Sequence, residues 1–239
     1  MKAILLAGGD ARRTLPLTHG MYEKTFLRLK GKPIISIVLE QIYGWGLGAE
    51  ITVCVLDKFL EDFKWELRNN GLQFNSTPRA LGTLGHYMKA AHETGISFDD
   101  DVLVYYGDTI TNMNLGAMYD SYKKLGSECI IAVTTNLRHD YSAVDFDREY
   151  RITKMDEKPK LDFPSWTGIA IIKHELIERC IGQIAPDKMD FAKGLFPLLL
   201  KNGAKFHAYS DDNALYYDTG NINSYLKLMD MAAEGTLNV

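Results

Sequence analysis

The 239-residue chain is short of the features that would set it outside the ordinary globular proteins. It has three cysteines, Cys54, Cys129 and Cys180, far apart and never as Cys-x-x-Cys, so metal knuckles and thioredoxin-type chemistry have no support. Buried free thiols in a reducing cytosol are expected instead. No apolar run approaches the ~20 residues that a membrane-spanning helix requires. The start, MKAILLAGGDARR, carries an apolar stretch only from Ala3 to Ala7, with Arg12 and Arg13 where a signal cleavage site would lie. No targeting segment is visible, so a cytoplasmic protein is expected. Charge of one sign is also missing. With 27 Lys+Arg against 31 Asp+Glu the formal charge is -4, which gives no general attraction to nucleic acid or to an anionic membrane. The six histidines (His19, His86, His92, His139, His174, His207) show no ligand spacing and read as surface or helix residues. Repeats, low-complexity tracts and linkers are absent.

What remains is 46% hydrophobic and 24% charged, a composition able to build a sizeable core. The length suits one large α/β domain or two small ones, and one compact domain over 1–239 is the economical expectation. Ala3 to Leu6 reads as a short buried strand ending in Gly8-Gly9. Ile34, Ile35, Ile37, Val38, Gln41, Ile42 and Trp45 have helical spacing, with Pro33 at the first helical position and Gly46-x-Gly48 as the stop. Ile51 to Leu56 is the next strand. Leu60, Phe63 and Leu67 mark a helix face that ends at Asn69-Asn70-Gly71. A helix from about Thr83 to Thr94 precedes the strand Val102 to Tyr106, which stops at Gly107-Asp108. This rhythm predicts a mostly parallel sheet with helices on both faces.

The second half predicts short strands at Cys129 to Thr134, Ala143 to Phe146, Ile152 to Met155 and Ile169 to Ile172. Turn-rich pieces such as Asp147-Arg148-Glu149-Tyr150 separate them, so hairpins and an antiparallel or mixed extension are expected. Helices near 173–183 and 189–201, a strand Lys205 to Tyr209, and a terminal helix containing Ile222, Tyr225, Leu226 and Met229 complete the chain.

Two glycines directly after the first strand, in Leu6-Ala7-Gly8-Gly9, let backbone N–H groups approach a ligand. Loops at the carboxyl ends of parallel strands are where α/β proteins bind ligands. Residues 11–32 then carry Arg12, Arg13, Lys24, Arg28, Lys30 and Lys32 against one acid, Glu23. In a chain of net negative charge this local cluster suits a polyphosphate or phosphate ester. The glycines alone fit a plain strand-to-helix turn equally well; the cations tip the balance. Gly-x-Gly-x-x-Gly is absent and no Gly-Lys-Ser/Thr closes the loop, so hydride transfer and P-loop chemistry fall behind.

The stretch LAGGDARRTLPLTHGMYEKTFLRLKGKPII resembles the signature of the sugar-1-phosphate nucleotidylyltransferases, the nucleotide-sugar pyrophosphorylases. The matched positions are Leu6 to Gly9, Arg13, Pro16-Leu17-Thr18, Lys24 and Gly31-Lys32-Pro33-Ile34. Further motifs follow in order. Leu81-Gly82-Thr83-x-Gly85 resembles the second nucleotide-contacting loop, and Val104-x-x-Gly107-Asp108 the strand ending in a metal-binding aspartate. Glu157-Lys158-Pro159 resembles the sugar-phosphate motif, and Tyr217-Asp218-Thr219-Gly220 the segment with a second metal ligand.

The resemblance implies a Rossmann-like α/β fold of the nucleotide-diphospho-sugar transferase type: a mixed, mostly parallel sheet flanked by helices, with a small antiparallel sugar-binding extension. It divides the domain into a nucleotide-binding part at about 1–125, a sugar-phosphate part at about 126–220 and a C-terminal helix at 221–235. It also implies an enzyme joining a nucleoside triphosphate to a sugar 1-phosphate, with Mg²⁺ as cofactor and with neither nucleic acid nor membrane as partner; a homo-oligomer stays open.

Arg13 and Lys24 would be catalytic. Leu6, Ala7, Gly8, Gly9, Thr77, Pro78, Gly82 and Thr83 would bind the nucleotide. Ser142, Glu157, Lys158, Trp166 and Gly168 would hold the sugar phosphate, and Asp108 with Asp218 the metal. Two carboxylates at strand ends suit octahedral Mg²⁺, although turn-capping is the commoner fate of Gly-Asp and Asp-Thr-Gly. Ala11, Arg12, Thr14, Tyr22-Glu23, Ser142 and Trp166 depart from the family pattern, and one extra residue separates Thr18 from Lys24. Those departures leave a non-catalytic nucleotide-binding relative, or transfer to a phosphorylated non-sugar acceptor, as competing readings.

Overall fold

The computed structural model describes residues 1–9, 12–47, 49–68, 71–137, 139, 141–161 and 163–237, with Arg12 described by its backbone alone. The departures at Ala11 and in the Arg12 side chain, the stop at Gly48 and the pair Asn69-Asn70 therefore lie outside the described residues.

The chain opens with strand β1 (Lys2–Leu6), a 3₁₀ turn at Arg12–Thr14 and a single helical turn, α1 (Leu15–Thr18). After a second 3₁₀ turn at Lys24–Phe26, a two-residue ladder, β2 (Arg28–Leu29) with β3 (Lys32–Pro33), leads into helix α2 (Ile34–Gly44). Pro33 takes the N-cap with an extended backbone, one position before the first helical residue where the sequence places it. Alternation then follows as expected through β4 (Glu50–Leu56), α3 (Leu60–Glu66), α4 (Thr83–Glu93) and β6 (Asp101–Tyr106), with a strand that the sequence reading does not contain, β5 (Gln73–Thr77), between α3 and α4. Next come β7 (Thr109–Thr111), α5 (Leu115–Lys124), β8 (Cys129–Thr134), β9 (Ala143–Phe146), β10 (Ile152–Asp156) and β11 (Ser165–Lys173). The chain closes with α6 (His174–Ile181), a π-helical turn at Phe191–Leu195, α7 (Phe196–Lys201), β12 (Phe206–Ser210), β13 (Tyr216–Asp218) and α8 (Ile222–Ala233).

Seven of the strands form one sheet in the order β12-β8-β11-β6-β1-β4-β5. β1 pairs parallel with both β4 and β6, and β11 is the antiparallel member between β6 and β8. The second-half strands β8, β11 and β12 thus belong to the main sheet: β8 and β11 carry apolar runs buried on both faces, and β12 is the half-exposed edge strand paired parallel with β8. β9 and β10 stand apart as an exposed two-stranded hairpin, and β7 with β13 forms another short ladder outside the main sheet.

Side-chain alternation splits the core across the sheet. Ala3, Leu5, Val53, Leu103 and Tyr105 face a layer built with α2, α3, α5 and α8, while Ile4, Cys54, Val102 and Val104 face α4, α6 and α7. All three cysteines are buried and free, and burial pushes the Cys54 thiol up to about 12. Among the described residues no helix is long and apolar enough to cross a membrane.

Candidate active site

From β1 the chain steps to β4 and β5 on one side and returns to β6 on the other, so the carboxyl ends of β1 and β6 flank a topological switch point. The loops leaving these strands diverge there and leave a crevice. Ala7 N–H donates to Cys54 O and Gly107 N–H to Leu6 O, both at 2.9 Å, which ties the glycine loop to the neighbouring strand ends. A cavity of about 250 Å³ opens at this point. Of the residues singled out in the sequence, Leu6, Gly8, Gly9, Arg13, Lys24, Gly82, Thr83 and Asp108 line it. Two wider hollows, of about 530 and 380 Å³, share none of these residues.

The carboxylates meet although the sequence holds them far apart. β7 and β13 pair antiparallel, Asp218 opposite Thr109, so the segment after β13 folds back beside Asp108. Gly220 sits between them. A Cβ there would lie 2.7 Å from Asp108 Oδ2, 2.8 Å from Asp218 Oδ1 and 3.1 Å from Arg13 Nη2. Lys24 Nζ donates to Asp108 Oδ2 in a partly buried ion pair, and Arg13 Nη2 lies 3.4 Å from Asp218 Oδ2. Burial alone would lower the Lys24 pKa, but Asp108 outweighs it and holds the ammonium above its ordinary value. Burial, then repulsion from Asp108, pushes the Asp218 carboxyl up, with Arg13 opposing. A divalent cation would relieve that repulsion, and Mg²⁺ needs only one or two protein carboxylates. The pair therefore fits Mg²⁺, while among the described residues no cluster of three or more His, Cys, Asp or Glu is placed for a metal.

Glu23, conspicuous in the sequence beside Lys24, turns away from the crevice. It is fully buried at the N-cap of the Lys24–Phe26 turn, where Oε2 accepts the N–H and hydroxyl of Thr25, both at 2.5 Å. Its Oε1 has no partner, and burial raises the carboxyl to about 7 against the opposing pull of Thr25 and Lys24.

The second loop is shaped by contact as much as by sequence. Gly82 has φ +77 at the N-cap of α4, and a Cβ there would collide with Met189 O. Thr83 Oγ1 donates to Asp190 Oδ2 at 2.9 Å and accepts Phe191 N–H at 3.1 Å. Thr77, at the end of β5, donates its hydroxyl to Arg79 O at 2.8 Å; Thr77, Pro78 and Ala7 are not among the residues that line the cavity.

The sugar-phosphate candidates occupy a different place. Ser142 and Glu157 close the base of the β9–β10 hairpin through a short hydrogen bond between their side chains. Lys158 follows with a left-handed backbone, φ +44. None of the three lines the cavity. Trp166 packs edge-on against Tyr106 and Phe196, at centroid distances of 5.1 and 4.8 Å, and its indole N–H donates to Ile169 O at 3.0 Å. Gly168 has φ +86, and a Cβ there would press on Tyr106 at 2.8 Å. Trp166 and Gly168 thus stand behind Tyr106, which itself lines the cavity.

Sequence reasoning missed four lining residues: Ala80, His86, Tyr106 and Asp190. Tyr106 ends a strand that points at Gly107-Asp108, a usable signal. Asp190 carries a local one as well, since its side chain caps the turn at Phe191–Leu195 by accepting from Ala192 N–H and Lys193 N–H. The place of His86 was not legible.

Residues 2–235 match the nucleotidyl transferase family. The chain is 27% identical to a UTP–glucose-1-phosphate uridylyltransferase of Synechocystis sp., over 94% of this chain and 61% of that protein. It is 28% identical to mannose-1-phosphate guanylyltransferase 1 of Arabidopsis thaliana, over 84% and 59%. It spans 37% of a bifunctional sugar-1-phosphate nucleotidylyltransferase/acetyltransferase of Sulfurisphaera tokodaii. Among solved structures, HddC of Yersinia pseudotuberculosis superposes with a TM-score of 0.68 at 22% identity, covering 96% of this chain and 98% of that one. A Bacillus anthracis protein assigned as a glucose-1-phosphate thymidylyltransferase superposes at 0.73 with 17% identity, covering 100% and 97%. These two likenesses concern the fold. A match over nearly the whole length, with the cations and carboxylates of its signature gathered in one crevice, leaves one conclusion: the chain belongs to the nucleotidyl transferase family.

Proposed function

We propose that this protein joins a nucleoside triphosphate to a sugar 1-phosphate and releases pyrophosphate, in one domain whose nucleotide part spans about 1–125 and whose sugar-phosphate part spans about 126–220. The observation that carries this reading is the convergence of Arg13, Lys24, Asp108 and Asp218 around Gly220, beside the glycine loop. The relatives named for glucose-1-phosphate and mannose-1-phosphate substrates support the acceptor class.

In this reading an oxygen of the sugar phosphate attacks the α-phosphorus. The bond from that phosphorus to the bridging oxygen breaks, and its electron pair leaves with pyrophosphate. A phosphate monoester is mostly dianionic at pH 7, its second pKa being about 6, so the attacking oxygen needs no general base. What the protein supplies is alignment of two anions and neutralisation of the leaving group. Gly8 and Gly9 bring backbone up to the phosphates, and Lys24, whose Nζ lies beside Gly9, and Arg13 supply positive charge to them. Asp108 and Asp218 would hold Mg²⁺, which would supply positive charge to the phosphates. Lys24, paired with Asp108 beside the glycine loop, is within reach of the triphosphate. Glu157 and Lys158, at the hairpin base, receive the sugar phosphate.

The test is pyrophosphate release with Mg²⁺ across the common nucleoside triphosphates and a panel of sugar 1-phosphates, with Asp108→Asn as control. Release in one combination, lost in the variant, is expected. Silence in every combination from a protein that still binds a nucleotide would overturn the enzymatic reading.

A further inference from the structure

Between the glycine loop and the second loop lies a side chain that the proposed chemistry does not use. His86, in the first turn of α4, is 4% exposed, and its ring fills the space under Gly8. A methyl group on Gly8 would come within 2.6 Å of His86 Cε1 and 2.8 Å of Nε2. On the other side, Leu81 N–H donates to His86 Nε2 at 3.3 Å. The backbone N–H of His86 donates to Gly82 O at 3.0 Å. One residue therefore touches Gly8 on the first loop and both Leu81 and Gly82 on the second.

A ring nitrogen that accepts a hydrogen bond carries no proton, so the Leu81 contact assigns the proton of the neutral ring to Nδ1. Nδ1 is buried. Burial holds the imidazole pKa below its ordinary value, opposed by a hydrogen bond from the ring to the Gly8 backbone, with Lys89 adding to the lowering. The ring therefore faces the first loop through Gly8 and the second through the nitrogen that accepts from Leu81.

We propose that His86 is a positioning residue that sets the separation of the two loops between which the nucleotide lies, acting as a neutral ring that accepts from Leu81 and supports Gly8 from below. The inference rests on the nucleotide-binding reading of this cavity. It gives Gly8 a second reason to lack a side chain: the ring beneath it, in addition to the phosphate above it.

The experiment is calorimetric titration of the full chain with a non-hydrolysable nucleoside triphosphate, alongside KM for each substrate. His86→Ala is expected to weaken nucleotide binding about fivefold or more, the scale of one lost hydrogen bond with loosening of its loops. The KM for the triphosphate should rise more than the KM for the sugar phosphate or the fall in kcat. His86→Gln, whose amide oxygen reaches the Nε2 position, should restore most of the affinity, and His86→Leu, which only fills space, should not. Gly8→Ala should weaken binding by itself, and adding His86→Ala should recover part of that loss. Equal affinity for wild type and His86→Ala, or rescue by Leu as good as by Gln, would overturn the positioning role. A wild-type protein that binds no nucleoside triphosphate would overturn the nucleotide reading of the cavity, and His86 with it.

Discussion

Thr219 donates twice to a single atom, the carbonyl oxygen of Asp108, from its N–H at 2.9 Å and from its hydroxyl at 2.8 Å. The two residues are 111 positions apart, and Thr219 is fully buried. This pair of hydrogen bonds to one carbonyl fixes where the chain after β13 crosses the end of β6. It thereby decides that Asp218 faces Asp108 across Gly220.

Thr219→Val keeps the shape and removes the hydroxyl donor. Unfolding free energy is expected to fall by about 0.5–1.5 kcal/mol, the usual net worth of one hydrogen bond, because the Asp108 carbonyl keeps its bond from the backbone N–H at position 219. Pyrophosphate release should fall as well, because Asp218 is no longer held to Asp108. Chemical denaturation beside the release assay reads both, and unchanged activity would remove Thr219 from the machinery.

Gly220→Ala probes the same place without touching a charge. Its φ is not in the left-handed region, so the backbone accepts the change, but the added methyl meets both carboxylates and Arg13. A nearly normal melting temperature with loss of Mg²⁺-dependent release is the expected pair of results. A variant that keeps wild-type Mg²⁺ dependence would place the metal elsewhere.

Lys24 and Asp108 form a partly buried pair, with side chains 16% and 11% exposed. Removing one partner from such a pair strands the other, at about 3–5 kcal/mol. Lys24→Ala and Asp108→Asn should each abolish most turnover. In a double-mutant cycle the pair together should destabilise less than the sum of the two. Additive losses would mean that the ion pair carries no coupling.

Glu23 provides a pH test. Its folded carboxyl titrates at about 7 against 4.5 ordinarily, so between those values the folded chain keeps a proton that the unfolded chain has released. Stability from this group is full below 4.5 and is lost as pH rises through about 7. Denaturation midpoints from pH 5 to pH 8 should fall for wild type and fall less for Glu23→Gln, which keeps an acceptor for Thr25. Equal slopes would show that Glu23 does not titrate there.

Much of this was legible along the chain, because the information is local. The buried runs of β1, β4 and β6, the spacing of α2 and the glycines at strand ends follow from which side chains can alternate or recur at helical period. β5 escaped because its sequence, Gln-Phe-Asn-Ser-Thr, is that of a polar edge strand whose place comes from pairing with β4. β7 and β13 escaped because three residues show no period, and they exist only as each other's partner. α5 could have been read from Leu115, Met118 and Tyr122, which lie on one buried face.

By itself the sequence determined the α/β rhythm, the glycine loop, and the residue types able to hold phosphate and metal. Tertiary structure alone decided that Asp108 and Asp218 meet, that Glu23 turns inward while Lys24 turns out, that Trp166 packs behind Tyr106, and that His86 lies under Gly8. The physical reason is that propensity and periodicity act over a few residues. Contact between positions 78 or 110 apart depends instead on strand order and register, which the whole core fixes at once.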